Sequence, residues 1–67
     1  MISQSRVIAK GNHIRDVQHL VDSYGGKKSK WVKKSSPCFE IARLKYEYHW
    51  YEHDGIGRFE IKLKQMN

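Results

Sequence analysis

His49 and Tyr51 alternate along residues 47–52, and Arg58, Glu60 and Lys62 alternate along residues 58–64. Alternate positions of a strand project to one face, so a hairpin built from these stretches would gather the five side chains. Such a set contains what metal-free cleavage of RNA requires. His49 or Glu60 would take the proton of a 2′-hydroxyl, His49 or Tyr51 would protonate the departing 5′-oxygen, and Arg58 or Lys62 would stabilise charge on the phosphate. Histidine suits either proton step because its unperturbed pKa lies near neutrality. The 2′-hydroxyl is its own nucleophile, so neither a covalent side chain nor a metal is needed. The competing reading is a solvated sheet face that alternates acids and bases for cross-strand pairing.

The elements that must position these groups are legible in outline. Residues 39–52 read as strand, His53-Asp54-Gly55-Ile56-Gly57 as a turn, and residues 58–64 as the returning strand. Strict alternation turns Tyr48, Trp50, Phe59, Ile61 and Leu63 into the core. It leaves Glu47, His49, Tyr51, Arg58, Glu60, Lys62 and Lys64 on the opposite face. Phe39 and Ile41 differ in parity from Leu44, Tyr46, Tyr48 and Trp50. Either a bulge near Ile41-Ala42-Arg43 or a division into two strands reconciles them. Residues 6–10 form an edge strand or a packed lead-in. Asn12 can cap a helix of about three turns whose apolar positions Ile14, Val17, Leu20, Val21 and Tyr24 recur at helical spacing, and Gly25-Gly26 stops it. Arg15, His19 and Asp22 project together from that helix as a solvated face or a binding face. The expected fold is α+β, one amphipathic helix packed on a small antiparallel sheet of about three strands with a C-terminal hairpin, in a single domain over residues 1–67.

Thirteen Lys and Arg against seven Asp and Glu give a net charge of +6, which favours polyanionic partners. Lys27, Lys28, Lys30, Lys33 and Lys34 crowd one segment, and their repulsion is relieved beside a phosphate backbone; Lys64 would add to that grip. Trp31 within the segment is either a core anchor or a stacking platform for a base. Cys38 is the only cysteine, so no intrachain disulfide can form. His49 and His53 are four apart, a spacing that joins ligands on a helix but not on a strand, and no metal or cofactor is expected. Gly55-Ile56-Gly57 lacks the context of a phosphate-binding loop. No apolar run is long enough to span a membrane and the N-terminus lacks a signal peptide's hydrophobic region, so a cytoplasmic location without membrane association is expected.

Ile14-Arg15-Asp16-Val17 with Leu20-Val21, Tyr24-Gly25-Gly26-Lys27 followed by Trp31 and Lys33-Lys34, and His49-Trp50-Tyr51-Glu52 with residues 55–62 together resemble the small C-terminal toxin modules of large secreted bacterial proteins and mobile elements. Toxins of that kind include metal-independent ribonucleases of the barnase, colicin and RelE class. The resemblance implies RNA as substrate, with DNA the other polyanion, an active-site role for His49, Tyr51, Arg58, Glu60 and Lys62, and an RNA grip from the lysines. It further implies a cognate inhibitor protein, and secretion or delivery where the module belongs to a larger toxin. Two non-enzymatic readings stand beside it: a nucleic-acid-binding module, and an interaction adaptor that dimerises through a free sheet edge.

Overall fold

A computed structural model describes residues 4–66. One helix, α1 (Val17–Tyr24), accompanies β1 (Arg6–Lys10), β2 (Trp31–Ser35), β3 (Phe39–Ile41), β4 (Leu44–His53) and β5 (Gly57–Gln65). The five strands form one antiparallel sheet, so the architecture is α+β with a C-terminal hairpin, and the sheet has two more strands than expected. β4 is its axis. β5 flanks it on one side, while β2 and β3 share the other side end to end, and β1 adds outside β2.

The additional strands come from the lead-in and from the basic segment. The lysines of β2 did not announce a strand, yet Val32, Lys33 and Lys34 pair with Glu52, Tyr51 and Trp50. Residues 39–52 divide into two strands at Ala42 and Arg43, whose φ values of 51° and 69° make a tight two-residue hairpin turn. Asn12 does not cap the helix. Gly11–His13 is a 3-10 turn instead, and α1 runs for only eight residues from Asp16, which makes no side-chain capping bond. Gly25, at φ 89°, closes α1 by donating its N–H to the Val21 carbonyl at 2.8 Å.

Ile14, Val17 and Leu20 bury one stripe against Trp31, with Ala9, Val21, Tyr24, Tyr51, Ile56 and Phe59 around them. Trp31 has no exposed surface, which removes it as a stacking platform and makes it the anchor of the core. Its indole N–H donates to the Gly25 carbonyl at 3.0 Å, joining the end of α1 to the start of β2.

Paired residues share a face, so the register fixes sidedness and overturns the inward set expected from alternation. Tyr51 opposes both Lys33 and Phe59, and these lie on the helix side with Trp31 and His53. Tyr48 and Leu63 oppose each other on the far side, where Trp50 also lies. The cause is a bulge in β5. His49 pairs with Lys62 and Tyr51 with Phe59, so Trp50 alone faces the two residues Glu60 and Ile61. Phe59 and Lys62, three apart, therefore share the helix side, and Arg58 falls on the other.

Helix and sheet differ in length. Eight residues of α-helix span about 12 Å, and the ten of β4 span about 33 Å. α1 covers the end of the sheet that holds Trp31, Tyr51, Phe59 and His53 and leaves the rest of that side, with Ser35, Glu47, His49, Lys62 and Lys64, without a helix above it.

His53 is buried at the covered end. Its ring meets Trp31 edge-on at 5.2 Å, Nδ1 donates to the Asp54 carbonyl, and Nε2 accepts from the Lys27 N–H at 3.2 Å. Gly26 lies against that ring at φ 82°, and a Cβ there would fall 2.5 Å from Nε2. Gly26→Ala should therefore lose about 2–4 kcal/mol, from the left-handed backbone and the forced overlap together. Gly55→Ala, at φ 83° with open space around it, should lose only the backbone part. Urea unfolding of the two variants measures the difference.

Candidate functional site

On the uncovered stretch, β4 presents Glu47 and His49 two residues apart on one side. Glu47 is buried, and its carboxylate is surrounded by donors from three strands. Ser35 Oγ donates to Oε1 at 2.7 Å, His49 Nε2 lies 3.1 Å from Oε1, and Arg6 Nη2 contacts both oxygens at 3.3 Å. The Ser35 hydroxyl first, then His49 and the Arg6 charge, hold its pKa below the ordinary carboxylate value against the opposing effect of burial. The ionised Glu47 fixes a proton on His49 Nε2. His49 Nδ1 is then buried with no hydrogen-bond partner among the described residues, an uncommon state for an interior polar atom.

His49, Tyr51, Glu60, Lys62, Lys33 and Lys64 line one small pocket of about 70 Å³ together with Trp50. Glu60 closes the side nearest the helix. Its Oε2 accepts from the Tyr24 hydroxyl at 3.0 Å and meets His19 Nε2 at 2.8 Å, so α1 reaches across to the bulge. His19 foremost, with Tyr24 and Lys62 adding to it, keeps the Glu60 carboxyl below its ordinary pKa despite partial burial. Glu60 adopts φ 57°, a conformation that costs a residue with a Cβ about 1–2 kcal/mol. Strain of this kind concentrates at functional sites. Tyr51 is pushed above the usual phenol value, by burial first and then by Glu60 and Asp16, so it remains a hydroxyl donor at neutral pH. Lys33 Nζ lies 5.9 Å above the Tyr51 ring centre.

Of the five side chains expected to act together, His49, Tyr51, Glu60 and Lys62 are gathered and Arg58 is not. Arg58 Nε donates to Glu52 Oε1 at 3.0 Å on the far side of the sheet, where Glu52 also takes Lys34 Nζ at 3.3 Å and the Trp50 indole N–H at 3.1 Å. Burial raises the Glu52 pKa, but these three donors outweigh it and the net shift is downward. Lys34 is thus on the opposite side from Lys33. Lys27, Lys28 and Lys30 are exposed beyond the covered end, while Lys64 stands opposite Glu47. His53, a residue of the turn, is committed to the core.

Glu47, Ser35, Arg6 and Tyr24 belong to this arrangement and were not singled out as site residues by their types, and His19 joins it from the helix face that the sequence left as solvated or binding. Glu47 carried a usable signal, because it stands two before His49 on a strand. Arg6 lies 41 residues from Glu47, and no local pattern announces that contact. Among the described residues no three His, Cys, Asp or Glu side chains stand together as a metal site, and no helix is long and apolar enough to cross a membrane. Cys38 is a free, exposed thiol. Compared with known proteins, the chain matches no family model, no curated protein and no solved structure.

The lowered pKa of Glu47 has a consequence for stability. A carboxyl whose folded pKa is depressed stabilises the fold fully above its unfolded value, near 4.5, and that contribution fades as pH falls through the folded pKa. Wild-type protein should lose melting temperature progressively below about pH 4.5. Glu47→Gln, which has no such proton to bind, should be less stable at pH 7 but show a shallower decline in acid. Thermal melts between pH 7 and pH 2.5 test both halves.

Proposed function

We propose that the chain is an RNA-binding protein that cleaves RNA without a metal, through the small pocket that His49, Tyr51, Glu60 and Lys62 line on the sheet. The observation that carries this reading is the small pocket that gathers His49, Tyr51 and Glu60 with three lysines, the His49 ring being held at Nε2 by an ionised carboxylate. Glu60, ionised at neutral pH, takes the proton of the ribose 2′-hydroxyl. The freed oxygen attacks the adjacent phosphorus, and the bond from phosphorus to the 5′-oxygen breaks. His49 gives a ring proton to that oxygen, with the Glu47 carboxylate beside it to balance the charge. The products are a 2′,3′-cyclic phosphate and a free 5′-hydroxyl. Lys62 and Lys33 balance charge on the phosphate, and the Tyr51 hydroxyl donates to it. Lys27, Lys28, Lys30 and Lys64 hold the flanking backbone.

The likeness to small bacterial toxin modules supports the same reading, since such modules combine a helical part with a small antiparallel sheet, as this chain does. A cognate inhibitor protein would accompany such a toxin. The row of exposed Lys27, Lys28 and Lys30 favours a second reading, a nucleic-acid-binding module without turnover.

Incubation with labelled oligoribonucleotides in EDTA decides between them. Discrete cuts with cyclic phosphate ends are expected from the wild type. His49→Ala should lose at least about 100-fold in rate, the usual worth of a proton-transfer group, and Lys62→Ala should be strongly impaired. Arg58→Ala, altered on the far side of the sheet, should keep its activity within a few-fold. Intact RNA with binding that weakens steeply as salt rises would select the binding module.

A further inference from the structure

We infer that His19 is a positioning residue for Glu60 in the proton-transfer step, a role that rests on the cleavage reading and extends the site onto α1. His19 is half exposed on the helix, where the sequence alone leaves it on a solvated face or a binding face. Its Nε2 nevertheless meets Glu60 Oε2 at 2.8 Å, across 41 residues of chain.

The other ring nitrogen is engaged too. Ser23 Oγ, one helical turn on, lies 3.4 Å from Nδ1, so a hydroxyl donated there keeps the proton of a neutral imidazole on Nε2. His19 can therefore donate to Glu60 whether the ring is charged or neutral. Tyr24 donates to the same oxygen at 3.0 Å and stacks on Phe59 at 4.1 Å, one residue before Glu60. Both contacts fall on Oε2, which leaves Oε1 as the oxygen to receive a substrate proton. The bulge sets Glu60 in a left-handed conformation, and two side chains of α1 fix where its carboxylate goes. Base and acid thereby come from different supports. Glu60 is oriented by the helix and His49 by Glu47, on either side of a pocket lined by both.

The titratable groups around Glu60 are His19 and Tyr24 from α1, Tyr51 and His49 from β4, Lys33 from β2 and Lys62 and Lys64 from β5, with Asp16 acting on Tyr51. His19 is the foremost of these in keeping the carboxylate ionised. Its removal should move the acidic limb of the activity profile to higher pH, because Glu60 must be ionised to act as a base.

The test follows kcat/KM for an oligoribonucleotide in EDTA from about pH 3 to about pH 8.5, for wild type, His19→Ala and His19→Gln. Carbon-13 NMR titration of the Glu60 carboxyl is recorded in parallel. His19→Ala should lose about tenfold in kcat/KM through misplacement of the base, with the acidic limb and the Glu60 titration both displaced upward. His19→Gln, which keeps an N–H donor, should recover part of the loss, and a melting temperature close to wild type excludes unfolding as the cause. A folded, active His19→Ala protein with an unmoved acidic limb overturns the inference and leaves cleavage standing. Wild-type protein that leaves RNA intact overturns the cleavage reading and the positioning role with it.

Discussion

The burial of Trp31 is the contact on which the other arrangements depend. Its ring has no solvent exposure, its N–H ties the end of α1 to β2, and Tyr24, His53 and Phe59 surround it at 5.2–6.0 Å. The aromatic group lies at one end of one side of the sheet, and the helix docks there because that is where apolar area is concentrated. A core of so few large side chains is near the lower limit for a chain of this size. The choice of side follows from Trp31, Tyr51 and Phe59 sharing a register, even though Tyr46, Tyr48 and Trp50 offer as much aromatic surface on the other side.

Helix length then decides where chemistry can occur. Two turns of α1 cannot cover a ten-residue strand, so one side of a single sheet holds the apolar core at one end and buried polar Ser35 and Glu47 farther along. Carboxylates at that boundary are partly desolvated, yet each has donors close by. Glu47 is satisfied by Ser35, His49 and Arg6, and Glu60 by His19 and Tyr24. On the far side Glu52 gathers Trp50, Lys34 and Arg58, and Trp50 beside it is only 3% exposed although α1 packs on the other side. Stacked Phe39, Tyr46 and Tyr48 continue the far side toward the β3 turn.

Much of the local structure was legible in the residues. The glycine pair ends the helix, while residues 6–10 and the parity change near Ala42 each left two readings open, of which the structure takes the edge strand and the division into two strands. Sidedness was not legible. Alternation assumes an unbroken strand, and nothing in the types of Glu60 and Ile61 announces a bulge between them. That single irregularity removed Arg58 from the expected group while keeping His49, Tyr51 and Lys62 together. β2 was hidden for a different reason. Its lysines read as solvated, whereas long lysine stems can lie along a sheet with the charge at its margin. The helix was read as longer than it is because Ile14 packs into the same core from a turn ahead of the first helical residue.

The bulge in β5 also shows which residue the sheet could spare. Phe59 and Lys62 already face the same way, with one position's worth of pairing between them occupied by two residues. A chain shorter by one residue at this point would form an uninterrupted strand and keep every remaining side chain on its present face. Glu60 is, in that sense, an insertion that the hydrogen-bonded lattice accommodates, and its carboxylate is tied down from the helix by His19 and Tyr24.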